Sequence, residues 1–421
     1  MNRSLFARFS SLCLVFVPAI TACSMTDIAG EVGVGSVGGQ TGAGGTTNTV
    51  GGQVSTVGGQ VSTVGGTTNN NAGGVGGIGG TSAAGPSGAL PCDVLQDAGN
   101  PCVAAHSTVR LLNSKYAGPL YQLCKGAATP GPNSCQGITQ DILAVGGYAD
   151  VAAQKAVCAT GGCTITKIYD QSGLGNDLEP APPGGMKATP GNPVNAADLP
   201  VKIGGHDAYG LKFRPGMGYR KLVATGLALG DEPEAMYMVT SQKDLVNGCC
   251  FDYGNAETSA HDDGNGTMEA VYVGQGVIWG SGSGPGPWAM ADLENGLYAG
   301  WERGQDSLIS TNTSLKFDFI NAAVVGDTQD KNGGKGRFAV YGGDATTGPI
   351  TTMYDGIRPE KQGYVPMLKQ GSLILSIGGD NSDADGGRFY EGAMANGAAT
   401  KQTIDALQAS IVAAGYGKSM L

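Results

Sequence analysis

Short runs of β-favouring residues, with clusters of Gly, Asn, Asp and Pro between them, do most to restrict the fold of residues 91–421. The runs are 236–240, 268–273, 317–325, 337–341, 372–377 and 388–394. Runs of this length between turn residues are typical of β-strands. Many strands and little helix predict an all-β fold, a sandwich or jelly roll with a concave face of the kind that binds carbohydrate. No second domain boundary is visible after Pro91.

The end of the chain carries the strongest helical pattern. Thr400 can cap a helix there, and Gly415 fits the position just after its last turn. Between them, apolar residues recur at the spacing of one helix face: Ile404, Leu407 and Ile411. The sequence therefore predicts a C-terminal helix, and a shorter helix is predicted around residues 149–158.

Residues 1–22 have the pattern of a lipoprotein-type signal peptide. Arg3 and Arg8 precede an apolar stretch at 12–20, which is too short to span a membrane. Cys23 directly follows small residues, as in a bacterial lipobox, where the Cys is acylated and becomes the mature N-terminus. We expect an exported protein held in the outer membrane by lipid at Cys23. Ordinary signal cleavage, which would give a secreted protein, is the alternative.

The segment that follows, residues 23–90, is Gly-rich and has almost no charge. It contains a tandem repeat, in which Thr-Val-Gly-Gly-Gln-Val-Ser begins at Thr49 and again at Thr56. Such a composition cannot bury enough apolar surface to offset the entropy lost on ordering. The segment is predicted to be a disordered tether that precedes one domain, residues 91–421.

Eight cysteines remain once Cys13 and Cys23 are set aside, and eight in an exported chain indicate a disulfide framework. Pairing between sequence neighbours is the simplest arrangement, although spacing alone leaves the other connectivities open. This arrangement has four bridges: Cys92–Cys102, Cys124–Cys135, Cys158–Cys163 and Cys249–Cys250.

The adjacent pair Cys249 and Cys250 is unusual because a bond between them closes a ring with a single peptide unit. So short a loop removes little entropy from the unfolded chain, and neighbouring Cα atoms, about 3.8 Å apart, lie closer than in ordinary disulfides. The bond would instead supply a rigid, apolar sulfur surface suited to packing against a sugar ring. Two free thiols, or two bridges to distant cysteines, are the alternatives.

A first candidate site combines Trp279 and Trp288 with the two acids of the run Ala289-Met-Ala-Asp-Leu-Glu-Asn-Gly296. In an extended strand, Asp292 and Glu294 would project from the same face. Two carboxylates so placed repel each other unless a ligand, a donor or a cation separates their charges. The alternative is a solvated polar face, which is the commoner meaning of an isolated Asp-x-Glu.

A third acid, Asp380, follows the apolar run 372–377, and an acid at the end of a buried strand is well placed to donate a proton. The competing interpretation is a calcium loop, because residues 381–386 resemble the start of an EF-hand. The twelfth position of that loop is Gly392, and Glu391 stands one residue early, so a true EF-hand is not expected.

Several classes of function lack their motifs. The sequence has neither GxSxG nor HExxH, no CxxC pair recurs with His, and the net charge of -10 argues against nucleic acid as a partner. His106 is interpreted as a structural hydrogen-bonding residue, and Asp170 and Asn176 as parts of a turn that orders a loop. Asp252, Asn255 and Glu257 follow the Cys pair and could support a site, with loop structure as the default interpretation.

Taken together and in order, a set of segments resembles the catalytic domain of α-L-arabinofuranosidase B, glycoside hydrolase family 54. The resemblance covers essentially all of residues 91–421. Its main segments begin at Pro91 (Pro-Cys-Asp), Cys102 (Cys-Val-Ala-Ala-His-Ser-Thr), Ile168 (Ile-Tyr-Asp-Gln-Ser-Gly), Ala181 (Ala-Pro-Pro-Gly-Gly), Cys249 (Cys-Cys-Phe-Asp-Tyr-Gly-Asn-Ala-Glu-Thr), Gly286 (Gly-Pro-Trp), Asp292 (Asp-Leu-Glu-Asn) and Gly378 (Gly-Gly-Asp-Asn-Ser). The resemblance implies a concanavalin-like β-sandwich and retaining hydrolysis of terminal α-L-arabinofuranosyl groups.

The resemblance also implies roles for individual residues. Glu294 would be the nucleophile and Asp380 the general acid/base, a pair of carboxyl groups that a retaining mechanism needs about 5–5.5 Å apart. The implied sugar-binding residues are Asp292, Asn295, Gly379 and Trp279, with Cys249 and Cys250 joined against the sugar. The resemblance supports Cys92–Cys102 and Cys158–Cys163. No cofactor or metal is expected, and the expected partners are arabinose-containing plant polysaccharides or oligosaccharides.

Two features depart from the family pattern. Cys124 and Cys135 are an addition, expected to form one extra bridge, and Gly296 stands where the pattern has a second Asn, which puts one sugar contact in question. The alternative from a different class is a non-catalytic concanavalin-like sugar-binding module on the cell surface. A nearer alternative is an exo-hydrolase of another furanoside or of xylosides.

Overall fold

The computed structural model describes residues 88–276, 281–300, 309–327 and 331–419. The predicted signal peptide, Cys23, nearly all of the predicted tether and Trp279 lie outside these residues. All the described residues belong to one unit, Ile78–Leu421.

Within the described residues the chain forms three helices and 25 strands. The helices are α1 (Pro91–Asp97), α2 (Val151–Cys158) and α3 (Lys401–Ala413). The strands are β1 (Cys102–Ser107), β2 (Tyr121–Lys125), β3 (Ile138–Ile142), β4 (Ala144–Val145), β5 (Tyr148–Ala149), β6 (Cys163–Ile168), β7 (Glu179–Pro180), β8 (Val194–Asn195), β9 (Pro200–Ile203), β10 (His206–Tyr209), β11 (Leu211–Phe213), β12 (Tyr219–Lys221), β13 (Glu234–Thr240), β14 (Asp252–Ala256), β15 (Glu269–Gly274), β16 (Gly282–Ser283), β17 (Trp288–Asp292), β18 (Leu297–Tyr298), β19 (Ile309–Thr313), β20 (Ile320–Asp327), β21 (Arg337–Asp344), β22 (Thr351–Gly356), β23 (Ser372–Leu375), β24 (Gly387–Phe389) and β25 (Glu391–Asn396).

Two large sheets form a sandwich, which confirms the predicted all-β fold. One has six strands in the order β1-β25-β13-β20-β21-β22, and the other has seven in the order β18-β17-β15-β14-β23-β12-β7. Their facing side chains form one buried cluster, in which residues of the first sheet meet residues of the second: Met236, Met238, Val324 and Val340 with Tyr253, Val271, Val273 and Leu375.

The six-stranded sheet is buried on its other face as well. Because side chains alternate along a strand, Tyr237 and Val239 point away from Met236 and Met238. They belong to a second cluster that includes one face of α3, formed by Ile404, Leu407 and Ile411. This double burial explains why all seven residues of β13 are buried.

The predicted helices are confirmed, and α1 is an addition to them. In α3, the Thr400 side chain caps the helix by accepting a hydrogen bond from the Thr403 N–H, and Gly415 follows with a φ of 74°. In α2, the Asp150 side chain accepts from the Ala153 N–H. Neither these helices nor α1 combines the length and the apolar character needed to cross a bilayer, within the residues that the structure describes.

The strand runs seen in the sequence correspond to strands with shifted ends, and one run is divided. Residues 388–394 are interrupted at Tyr390, so that β24 pairs with β11 while β25 joins the six-stranded sheet.

The structure contains four disulfides, with the pairing predicted from sequence neighbours: Cys92–Cys102, Cys124–Cys135, Cys158–Cys163 and Cys249–Cys250.

Candidate active site

A row of aligned residues across the seven-stranded sheet provides the floor of the site. Asp292 in β17 pairs with Ala270 in β15, which pairs with Gly254 in β14. Ile374 in β23 continues the row and pairs with Arg220 in β12. Ala270 and Ile374 belong to a small cluster separate from the sandwich core, so this face of the sheet is its outer face. The small residues at 254 and 270 leave space above the sheet between Asp292 and Arg220.

Glu294 lies beyond the end of β17, in a tight turn. The prediction that Asp292 and Glu294 project from one extended strand is therefore wrong for Glu294, whose φ is 64°, as is the φ of 56° at Asn295. The turn is closed by a hydrogen bond from the Leu293 N–H to the Gly296 carbonyl at 3.2 Å. The Glu294 N–H donates to Asp292 Oδ1 at 3.1 Å, so the two acids remain adjacent.

Asp380 lies in a second tight loop, which follows β23. The Gly378 N–H donates to the Ser382 carbonyl at 3.0 Å, and the Ser382 N–H donates to Asp380 Oδ1 at 2.9 Å. The buried guanidinium of Arg220 fixes the same loop, because its Nη1 donates to the Gly379 carbonyl at 2.7 Å and to Asn381 Oδ1 at 2.6 Å. Arg220 thus connects the floor of the site to the loop that carries Asp380.

These two loops and the Cys pair enclose one cavity of about 140 Å³. The lining residues are Cys249, Cys250, Asp262, Asp292, Glu294, Asn295, Gly296, Leu297, Gly378, Gly379, Asp380 and Ser382. The structure thereby brings together seven of the eight site residues proposed from the sequence. The eighth, Trp279, lies outside the described residues.

Trp288 does not have the role considered for it from the sequence. Its side chain is buried in the large apolar cluster, and its Nε1–H donates to the Ser283 carbonyl at 3.0 Å. The sequence placed Trp288 near the acids, but it did not reveal that this side chain packs against other apolar residues.

The Cys249–Cys250 disulfide forms part of the cavity wall. The peptide bond between the two residues is cis, and their Cα atoms are 3.0 Å apart, not the 3.8 Å assumed for a trans bond. Cys250 is buried, whereas Cys249 is half-buried and its Sγ lies 3.5 Å from Ser382 Oγ. The pair therefore presents sulfur to the cavity beside the Asp380 loop.

Gly379 occupies a position where a larger residue would require neighbouring side chains to move. A Cβ atom there would lie 1.9 Å from Glu257 Oε2 and 2.5 Å from Glu294 Oε2. Separations this short lie far inside van der Waals contact, so a side chain at 379 would displace both carboxyl groups. The close approach of backbone and carboxyls gives a structural reason for glycine at this point of the cavity.

Two pairs of carboxyl groups lie in and under the cavity. Asp252 and Asp292 interact electrostatically with each other, as do Glu257 and Glu294. Burial is the main cause that raises the pKa of all four groups, and for Asp292 the pKa rises to about 7. The neighbouring acid raises the pKa of Asp252 and of Glu294 further. Since two adjacent buried carboxylates repel each other, retention of one proton by each pair is favoured over ionisation of both groups.

Asp252 and Glu257 lie at the site, although loop structure was the default interpretation of these residues from the sequence. Asp252 begins β14, and Glu257 follows its end. Asn255, named with them, points elsewhere: its Nδ2 donates to the Ala228 carbonyl at 2.7 Å. The alternation of β14, which begins two residues after the Cys pair, was the available signal for Asp252, whereas the contact between Glu257 and Glu294 is long-range.

The acids of the 381–386 loop are directed to protein donors, which leaves the calcium interpretation without support. Asp383 binds Lys187 Nζ at 2.9 Å, and Asp385 Oδ1 accepts from the N–H groups of Val246 and Gly386. Among the described residues, the His/Cys/Asp/Glu group compact enough for a metal ion comprises Cys249, Cys250 and Asp292. Its two sulfurs are bonded to each other and therefore offer no thiolate ligand.

His106 and the Asp170 turn have the structural roles inferred for them. His106 is fully buried, with Nδ1 at 3.0 Å from Tyr253 Oη and Nε2 at 2.8 Å from the Asn176 carbonyl. Asp170 accepts hydrogen bonds from the N–H groups of Ala105, Ser172 and Asn176. These contacts order the loop after β6 and leave no catalytic function to assign to His106.

The chain is similar to one family of proteins of known description. Residues 91–417 match the family described as "Alpha-L-arabinofuranosidase B, catalytic". A probable α-L-arabinofuranosidase B of Aspergillus clavatus is 47% identical over 339 residues, which are 79% of this chain and 63% of the relative. An arabinofuranosidase/B-xylosidase of Trichoderma koningii is 46% identical over 336 residues, 79% of this chain and 64% of the relative.

Solved structures give the same result. An arabinofuranosidase complexed with arabinofuranosyl-α-1,2-xylobiose superposes with a TM-score of 0.72 at 44% identity, covering 78% of this chain and 66% of that one. A Glu-to-Gln mutant of a GH54 α-L-arabinofuranosidase soaked with 4-nitrophenyl α-L-arabinofuranoside matches equally well, with the same coverage of both chains. The chain spans slightly under two thirds of the length of the relatives it matches.

Proposed function

Since the chain belongs to the family of α-L-arabinofuranosidase B catalytic domains, glycoside hydrolase family 54, we propose that it is a retaining, exo-acting α-L-arabinofuranosidase. Its substrates are terminal arabinofuranosyl groups of arabinan, arabinoxylan or related polysaccharides. One observation carries the proposal: Glu294 and Asp380, on separate loops, line the same small cavity beside the Cys249–Cys250 disulfide.

A retaining glycosidase requires two carboxyl groups beside the anomeric carbon, and the shared cavity of Glu294 and Asp380 supports these roles. Glu294 attacks the anomeric carbon, and Asp380 donates a proton to the glycosidic oxygen as the leaving group departs. A water molecule then gives a proton to Asp380 and attacks the glycosyl–enzyme ester, which restores Glu294. The half-buried position of Asp380 suits this exchange with water, whereas Glu294 is only 7% exposed.

The remaining lining residues bind and orient the sugar in this proposal. Asp292 and Asn295 accept or donate hydrogen bonds to its hydroxyl groups, and the backbone of Gly379 lies against the ring. The disulfide offers an apolar surface to the ring face. A cavity of about 140 Å³ suits one monosaccharide, which favours removal of terminal groups over cleavage within a chain.

The experiment that tests the activity is release of nitrophenol from p-nitrophenyl α-L-arabinofuranoside by the purified protein, beside its Glu294→Gln variant. Turnover by the parent protein and none by the variant would support both the activity and the nucleophile. Sugar binding without turnover would favour the non-catalytic module. Turnover of a β-D-xyloside at a greater kcat/KM would favour the nearer alternative, for which a relative with a B-xylosidase name is a reason to test.

The proposal includes export and attachment to the outer membrane through lipid on Cys23. Four disulfides support an oxidising compartment, and the small residues before Cys23 support acylation. A Cys23→Ser substitution should move the protein from the membrane fraction to the soluble fraction. An unchanged distribution would favour ordinary signal cleavage.

A further inference from the structure

Glu257 is a buried carboxyl group beside the proposed nucleophile, and the mechanism above gives it no role. Its side chain is 0% exposed. Thr267 Oγ1 donates to its Oε1 at 2.6 Å, whereas its Oε2 has no donor among the described residues. Leaving a buried carboxylate oxygen without a hydrogen bond is costly, so a partner is expected for Oε2.

The carboxyl group of Glu294 is adjacent and can supply that partner when a proton lies between the two groups. The Oε2 atoms of Glu257 and Glu294 both lie against Gly379, at 1.9 and 2.5 Å from the position of a Cβ there, so the two buried carboxyl groups are neighbours. A proton between them satisfies the otherwise unpaired oxygen. Thr267 anchors one end of this arrangement, and the Glu294 turn holds the other.

The charged groups around the pair favour retention of that proton. They come from four elements: Arg220 of β12, Asp262 of the loop after β14, Asp292 of β17 and Asp380 of the loop after β23. Arg220 is the cation of this set, and its Nη1 and Nη2 donate to the Gly379, Asn381 and Glu257 oxygens of the surrounding loops. These acceptors are main-chain carbonyl and amide oxygens, so Arg220 makes no direct ion pair with Glu257 or Glu294, and a second negative charge on the Glu257–Glu294 pair is disfavoured.

We infer that Glu257 is a positioning residue for the nucleophile: it holds the shared proton and donates it as a hydrogen bond to Glu294 Oε2, which leaves Oε1 directed at the sugar. The inference rests on the proposed function of Glu294. In the first step the bond from Glu294 Oε1 to the anomeric carbon forms and the glycosidic C–O bond breaks. The leaving oxygen takes the electron pair of that bond and a proton from Asp380, while Glu257 keeps its own proton.

Two substitutions at one position separate positioning from mere packing. Glu257→Gln keeps an N–H donor of similar size, and Glu257→Leu removes the donor but not the bulk. With p-nitrophenyl α-L-arabinofuranoside, we expect Glu257→Gln to lower kcat by less than about tenfold. Glu257→Leu should lower kcat by about a hundredfold with little change in KM, since misorientation of a reacting group costs on that order.

A second measurement does not depend on activity. Urea unfolding from pH 5 to pH 8 reports proton binding, because each extra proton held by the folded state makes the unfolding equilibrium constant rise tenfold per pH unit. We expect the wild-type protein to show a steeper rise than Glu257→Gln, by up to that factor. This measurement also shows whether each variant folds.

Three results would overturn the inference. Full activity of Glu257→Leu would show that no donor is needed, and loss of activity in Glu257→Gln equal to that of Glu294→Gln would show that the Glu257 charge is itself required. If the unfolding equilibrium constant had the same pH dependence in the wild-type protein and in Glu257→Gln, the pair would hold no shared proton. If the wild-type protein released no nitrophenol, the proposed function would fail instead, and the unfolding measurement would still decide whether the pair shares a proton.

Discussion

Tyr364 donates a hydrogen bond from its hydroxyl group to the main-chain carbonyl of Glu294, at 2.6 Å. The two residues are 70 positions apart in the sequence, and Tyr364 is fully buried. Its hydroxyl also lies 3.0 Å from that of Tyr298. Because Glu294 has a φ of 64°, a conformation that is rare and costly for a non-glycine residue, these tyrosines stabilise the turn that carries the proposed nucleophile.

Tyr364→Phe should therefore lower kcat more than it raises KM. The lost hydrogen bond contributes about 1 kcal/mol, so we expect a decrease in kcat of roughly fivefold. Tyr116→Phe is a matched control, since the Tyr116 hydroxyl donates to the Pro119 carbonyl at 2.7 Å away from the cavity. Steady-state kinetics that showed equal effects in both variants would contradict a role for Tyr364 at the site.

Asp380→Asn should impair natural substrates more than activated ones. The amide cannot donate a proton to the glycosidic oxygen, but a nitrophenolate leaving group needs little protonation. We expect kcat/KM to decrease by about a hundredfold or more on arabino-oligosaccharides and by much less on the nitrophenyl glycoside. Equal losses on both substrates would assign the acid role to another residue.

Gly379→Ala should nearly abolish turnover while the protein still folds. The added Cβ would meet Glu257 Oε2 and Glu294 Oε2, and displacing the nucleophile by about 1 Å costs about a hundredfold in rate. Gly343→Ala is a control for the substitution itself, because Gly343, like Gly379, has no positive φ, and the nearest atom to a Cβ at that position is 3.2 Å away. Activity per folded molecule, with folding checked by circular dichroism, separates the two expectations. Retained activity in Gly379→Ala would show that the two carboxyls tolerate displacement.

Local sequence patterns predicted the elements whose causes are local. Thr400 and Gly415 marked the ends of α3, and the apolar run at 236–240 marked most of β13. The spacing of Asp292 and Glu294 did not predict the turn at Glu294. The pattern Asp-x-Glu is the same whether the strand continues or ends in a turn. Hydrogen bonds from Leu293 to Gly296 and from Tyr364 to Glu294 determine the turn, and the second of these comes from a distant part of the chain.

Only those residues of the site that belong to recognisable sequence motifs were predictable. The cavity contains the acids and cysteines that the family resemblance selected, but Glu257 has no motif of its own, and its contact with Glu294 depends on how two loops meet. For Trp288, by contrast, the sequence suggested a role that the structure does not support. An aromatic residue near two acids suggested a binding surface, yet its side chain is buried among apolar residues and does not line the cavity.

The Asp252–Asp292 pair should make the protein less stable as pH rises. The pKa of Asp292 is raised from 3.8 to about 7, mainly by burial, so between these values the folded state holds a proton that the unfolded state has released. Its stabilising contribution is thus complete below pH 3.8 and is lost as pH rises through about 7. We expect urea unfolding to show a smaller loss of stability over this window in Asp252→Asn than in the wild-type protein. The exposed Asp97→Asn serves as control, and a slope unchanged by Asp252→Asn would contradict a shared proton.

Removal of the Cys124–Cys135 disulfide and removal of the Cys249–Cys250 disulfide should have different effects on stability and on KM. Cys124 and Cys135 are 11 positions apart and lie outside the cavity lining, so loop entropy predicts a loss of about 3 kcal/mol in the free energy of unfolding when both are replaced by Ser. Activity per folded molecule should not change. Replacing both Cys249 and Cys250 by Ala opens a loop of adjacent residues, so stability should change little, but KM should rise because the sugar loses its sulfur surface. Urea unfolding and steady-state kinetics on both double variants test this difference, and a large stability loss with unchanged KM in the Cys249/Cys250 variant would show that this pair is structural.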